Sequence, residues 1–175
     1  MHMMSLPHLR EKKNATAFSL VEMLGVITVI AILAGLTLGG AGAVRRHGAV
    51  NQAKSEIAAL EAACARYYAD FNSYPSNTTV LPDSSFNPLS GYSTAGMVVF
   101  SNLLGSTRIS AAPTGKRYFE PKPSMVSSDG SHFVDPWGYP YGYYSDGTNP
   151  PAIWSTAGQT NRTGTNRWIT SWPAN

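Results

Sequence analysis

The sequence predicts an α+β protein in which one long N-terminal helix, half membrane-inserting and half amphipathic, packs on a small antiparallel sheet. Three observations predict it. An apolar run extends from Phe18 to Val44 with Glu22 as its only charge. Apolar residues then recur at spacings of three and four from Val50 to Phe71. Beyond residue 74, short β-prone pieces alternate with turn formers. The boundaries that follow are a short polar segment, basic near its end, over 1–17, a membrane helix over 18–44, an amphipathic helix over 45–73 and a loop-rich β head over 74–175.

Composition narrows the class. A chain of 175 residues suits one domain with a modest core, to which nine tyrosines and four tryptophans add apolar mass. The net charge is only +3, and no basic stripe interleaves with aromatics, so nucleic-acid binding is not expected. Cys64 is the only cysteine, which excludes an internal disulfide and metal sites built on thiolate pairs.

The run from Phe18 to Val44 is long enough for a hydrocarbon core of roughly 30 Å. In lipid every backbone group must be paired internally, so the run is predicted helical despite its β-branched residues. A secretory signal peptide would have a shorter apolar region ending at a small-residue cleavage site. A plain signal anchor fits the length and the basic flank of Arg10, Lys12 and Lys13 but not Glu22. A charge in a membrane helix costs on the order of 2.5–3.5 kcal/mol, so either Glu22 snorkels to the interface or it has a purpose. Glycines at 35, 39, 40 and 42 weaken the helix by ~1 kcal/mol each relative to alanine. Gly35-x-x-x-Gly39 permits close helix contact, although glycine is also simply common in membrane helices.

The segment Ala17-Phe18-Ser19-Leu20-Val21-Glu22, behind its basic leader, resembles the processing site of type IV pilins and type II secretion pseudopilins. The resemblance implies cleavage by a prepilin peptidase between Ala17 and Phe18, N-methylation of Phe18, and an assembly role for Glu22 as fifth residue of the mature chain. Ala17 stands where the family usually has glycine. The carboxylate of Glu22 would pair with a neighbouring subunit's new amine and set the axial register. The family commonly has a proline near position 39, where the helix melts in the filament; Gly39-Gly40 would take that part.

In the bridging helix, Val50, Ala53, Ile57, Leu60, Cys64, Tyr67 and Phe71 form one apolar stripe. Lys54, Glu56, Glu61, Arg66 and Asp70 lie largely off it. Cys64 therefore reads as a small buried hydrophobe rather than a nucleophile. The helix is expected to end near Asn72-Ser73, before Tyr74-Pro75. The stretch Leu60 to Pro75, with its aromatic-rich end, again resembles pseudopilins.

In the head, Met97–Leu104 reads as a short helix or a strand, and Arg117–Phe119 as a strand or extended loop. Three strands are expected, one on the alternating tyrosines that close Phe133–Tyr144 (Tyr139, Tyr141, Tyr143), one at Ala152–Ser155 and one at Arg167–Trp172, with a turn at Asp146-Gly147. Asp135-Pro136-Trp137-Gly138 followed by Pro140-Tyr141 resembles a head motif of the major pseudopilins, read here as structural. That family's loop before the last strand usually holds calcium-binding aspartates. The corresponding Thr156–Asn166 has no carboxylate and includes Arg162, so no metal or other cofactor is expected there, calcium included. Asp129, Asp135 and Asp146 are the remaining candidates for a calcium site.

No catalytic set is apparent. His2, His8, His47 and His132 are isolated, and the glycine-rich pieces lack the context of a phosphate cradle. Asn77-Thr78-Thr79 matches a glycosylation sequon of the kind that arises by chance. The expected function is therefore structural: a pseudopilus subunit of a type II secretion-like system. It would sit in the inner membrane with a periplasmic head and assemble with copies of itself, other pseudopilins and an inner-membrane platform. The alternatives are a type IV pilin for adhesion, motility or DNA uptake, and a membrane-anchored binding module with an aromatic groove.

Overall fold

The computed structural model describes residues 19–83, 87, 91–160 and 167–173, with positions 37–41 and 43 described by backbone alone. The chain divides into two compact units, Met1–Gly42 and Ala43–Asn175. Helix α1 (Leu20–Phe71) supplies residues to both and passes Gly39 and Gly40 without a break.

In the first unit α1 has no polar face. Leu20, Val21, Leu24, Ile27, Ile30, Leu33 and Leu36 are all more than half exposed, and so are Val26, Val29 and Ile32 between them. Successive residues step by about 100°, so these side chains cover every side of the helix. The Thr28 hydroxyl donates back to the Leu24 carbonyl at 2.7 Å, which removes its need for water. Among the described residues, no helix is long and apolar enough to cross a membrane. The apolar side chains of the run are described from Leu20 to Leu36 and again at Val44, and the run in the sequence begins before the first of these.

In the second unit the expected stripe is largely the core. Ala53, Ile57, Leu60 and Cys64 are buried, with Val50 and Tyr67 partly so. Two positions depart from the expectation. Phe71 is exposed, because α1 ends there and Asn72 turns the chain away in the left-handed region at φ 52°. Glu56, expected off the stripe, is buried, because Tyr141 and Gln52 satisfy its carboxylate.

The Met97–Leu104 ambiguity resolves as a helix. α2 runs Tyr92–Leu104 and buries Tyr92, Ala95, Gly96, Val99, Phe100, Leu103 and Leu104, a spacing of three and four that a shorter window hides. It closes at Gly105, φ 66°. Residues 117–119 are an extended loop whose Tyr118 and Phe119 amides both donate to the Leu103 carbonyl. Strands β1 (Gly142–Tyr144), β2 (Ala152–Ser155) and β3 (Ile169–Thr170) form one antiparallel sheet in that order. β3 is shorter than the predicted Arg167–Trp172, because Trp168 and Trp172 leave the ladder to pack around Trp154.

The register puts Tyr143 beside Ile153 on one face, in the core that contains the α1 stripe. It puts Gly142 beside Trp154 on the other, in a second cluster with Val80, Tyr92 and Ala95. The α+β class expected from the sequence is thus the architecture observed. The sequon is not available to a glycosyltransferase: Asn77 is buried, and its Oδ1 accepts from the Thr79 amide and hydroxyl.

Candidate functional site

Ala17 and Phe18, the expected cleavage site, lie outside the described residues. Glu22 does not, and its geometry is informative. Ser19 precedes the helix, and its carbonyl accepts the first helical bond, from Met23 N at 3.2 Å. The Ser19 amide donates to Glu22 Oε2 at 2.9 Å. This is the glutamate half of a capping box, signalled by Ser-x-x-Glu. The carboxylate also sits favourably at the positive end of the helix dipole. Glu22 therefore has a role within its own subunit that the reading of it as an assembly residue missed. With Gly25, Val26, Val29 and Ile30 it lines an open groove of about 530 Å³, and a side chain at Gly25 would meet nothing within 4 Å.

The head motif forms a second centre. Pro136 and Trp137 occupy the middle of a turn closed by Gly138 N donating to Asp135 O at 2.8 Å. Gly138 has φ 84°, which glycine adopts without strain. Asp135 Oδ1 accepts from the amides of Trp137 (3.0 Å) and Tyr139 (2.9 Å), and Oδ2 accepts from the Ser155 hydroxyl at 2.6 Å. Two residues on, Tyr141 donates its hydroxyl to Glu56 Oε2 at 2.6 Å, while Gln52 donates to Oε1 at 2.8 Å. The motif thus ties a turn to β2 through Asp135 and to α1 through Tyr141.

Two buried carboxylates near one another are electrostatically costly. Burial pushes the Asp135 carboxyl up, and the Glu56 charge adds to the shift; its three hydrogen bonds pull the other way. Burial and the Glu56 carboxylate push the Tyr141 phenol far up, so it stays a donor. Tyr141→Phe should cost about 1–3 kcal/mol, because it leaves Glu56 Oε2 buried without its donor. Thermal unfolding would measure it. Adding Glu56→Leu should recover much of the loss, since removing both partners is cheaper than removing one.

A hydrolase reading fails on geometry. Asp129, Ser131 and His132 sit together, but the Ser131 hydroxyl donates to Asp129 Oδ2 at 2.6 Å and Ser127 donates to Oδ1. Ser131 Oγ lies 3.0 Å from His132 Nδ1, but with its proton on Asp129 it faces the ring as an acceptor, and Asp129 Oδ1 is 3.8 Å from the same nitrogen, so the serine has no base; burial pushes the His132 pKa down, against the pull of Asp129. Cys64 is buried, and burial pushes its thiol up to about 12, so it is no nucleophile at neutral pH.

Among the described residues no group of three or more His, Cys, Asp or Glu could hold a metal. Asp129 and Asp135 are engaged as above, and Asp146 accepts from the amides of Thr148 and Asn149 and from the Asn149 side chain. In the loop before β3, Thr156 Oγ1 and Gln159 Oε1 are buried without a partner; residues 161–166, with Arg162, lie outside the described residues.

Among curated proteins, the chain is similar to the type II secretion system core protein G of Pseudomonas aeruginosa. The two are 27% identical over 144 residues, covering 81% of each. No family model matches. No solved structure matches. The similarity is to a secretion-system core protein, not to an enzyme.

Proposed function

We propose that the chain belongs to the type IV pilin-like superfamily and is a structural subunit of the pseudopilus of a type II secretion-like system, a reading supported by its similarity to a type II secretion core protein. The observation that carries the proposal is a helix apolar on every side with a single carboxylate in its first turn. Such a surface needs lipid or other apolar helices around it. The run over 18–44 spans the inner membrane before assembly and stacks against the same run of other subunits afterwards. A prepilin peptidase removes residues 1–17, and the new amine on Phe18 is methylated. The head stands in the periplasm, and a platform in the inner membrane feeds subunits, including other pseudopilins, into the filament. Calcium has no part in this scheme: Asp129, Asp135 and Asp146 already accept hydrogen bonds within the chain.

Glu22 then has two tasks. One oxygen caps its own helix; the other has no bond to a described residue and is free for the amine of a neighbour. An unpaired charge in that dry interface costs about 3–5 kcal/mol per contact. Glu22→Ala is expected to insert normally but to lower filament yield by more than tenfold, read from sheared or surface-assembled filaments. Normal filament yield would overturn the assembly role. Mass spectrometry of the mature chain tests processing separately: the expected N-terminus is methylated Phe18, and any other start removes that part of the proposal.

A further inference from the structure

We propose that Arg45 and Arg46, with His47 beside them, form a collar that binds the phosphates of anionic glycerophospholipids on the extracytoplasmic face of the membrane. This rests on the membrane-span reading above.

All three side chains are exposed. No ion pair joins them to any described residue, whereas Lys116 and Arg117 of the head are paired with Asp70 and Glu120. They are consecutive on α1, and at about 100° per residue they point to different sides of the helix. A single protein partner would call for bases three or four apart on one face. Bases spread around the helix call for a partner that surrounds it. The sequence before them makes the same demand, since the apolar side chains also cover every side. Hydrocarbon followed by a headgroup layer meets both demands in the order in which the chain presents them.

Length agrees. At ~1.5 Å per residue, the run from Phe18 to Val44 covers about 40 Å, enough to cross a core of about 30 Å and reach the headgroups beyond it. Arginine suits the ligand, because its planar fork offers two parallel donors to phosphate oxygens. The leader bases Arg10, Lys12 and Lys13 depart on processing, which leaves Arg45 and Arg46 as the arginines next to the span. The collar is then the electrostatic hold on a processed subunit until it leaves the membrane.

The test places the full processed chain in nanodiscs of phosphatidylcholine mixed with phosphatidylglycerol and reads retained lipid by native mass spectrometry. Phosphatidylglycerol should be enriched over its bulk share. Each of Arg45→Gln and Arg46→Gln should lower that enrichment about fivefold. Arg66→Gln, which removes another exposed base of α1, should leave it unchanged. Equal enrichment in wild type and the Arg45→Gln/Arg46→Gln double variant, with both still inserted, overturns the collar and leaves the membrane span standing. An equal fall in Arg66→Gln also overturns it, as general charge attraction. If enrichment falls only in samples where subunits associate, the arginines serve a neighbouring copy and the lipid assignment is wrong. A wild-type chain released by alkaline extraction defeats the span and the collar together.

Discussion

Asp135→Ala should lower the melting temperature of the head by roughly 10–20 °C. The Asp135 side chain is 1% exposed and accepts from two backbone amides and one hydroxyl. Alanine leaves the buried Ser155 hydroxyl and the two part-buried amides without their acceptor, and a buried group so left costs about 1–3 kcal/mol. A total near 3–5 kcal/mol is a large share of a typical stability of about 5–15 kcal/mol. A few degrees are lost per kcal/mol in a unit of this size, which gives the temperature range. Asp135→Asn is the control. Its carbonyl keeps both amides, and the Ser155 hydroxyl can rotate to accept from the new amide, so the loss should be small near neutral pH. All four tryptophans lie in the head, so near-ultraviolet dichroism of the full chain in detergent reports the transition.

The same pair of variants has a pH signature with a definite sign. Burial first, then the Glu56 charge, raises the Asp135 pKa above its ordinary value of 3.8, against the pull of its hydrogen bonds. A raised folded pKa means that the stabilising contribution is complete below about 3.8. It is lost as pH climbs through the folded pKa. Asparagine has no proton to lose. The Asn variant should therefore gain on the wild type as pH rises above the usual carboxylate range and show no such gain below it. A wild type that gains on the Asn variant with rising pH would show that the three hydrogen bonds outweigh burial.

What could be read from the sequence was what repeats with a period or sits in a turn. The stripe through Ala53, Ile57, Leu60 and Cys64 follows from helical spacing alone, and all four are buried. The turn at Asp146-Gly147 follows from residue type, and Gly147 has φ 86°. What could not be read depends on partners distant in sequence. Glu56 looks like a solvent-facing charge until Tyr141, contributed from beyond α2, arrives above it. Phe71 continues the period but not the burial, because the helix stops under it. The carboxylate of Glu22 was readable as a cost, and the Ser-x-x-Glu spacing was a signal that it caps the Ser19 amide. A cap and an intersubunit partner leave the same mark in one sequence, and the geometry of a single chain shows the cap.

Gly142 is the sharpest case of a requirement invisible in sequence, and it sets the second large effect. A Cβ there would lie 2.0 Å from Trp154 Cε2 and 2.4 Å from Cζ2, far inside contact distance. The indole cannot give way. It is fully buried, its Nε1 donates to Tyr92 OH at 3.2 Å, and Trp168 and Trp172 pack on it at 5.9 and 5.8 Å. Gly142→Ala should therefore cost about 3 kcal/mol or more, at the upper end for an overpacked site. Trp154→Leu alone should cost a similar amount through the cavity it leaves. The two costs should not add. Removing the indole makes room for the new methyl, so the double variant should be markedly more stable than the sum predicts. Additive losses would show that the ring was free to move. Either single variant should still insert through its apolar run. Filament loss in Gly142→Ala would then come with an unfolded head, whereas filament loss in Glu22→Ala should come with a head that melts like the wild type. That contrast separates a subunit that cannot fold from one that folds but cannot find its register.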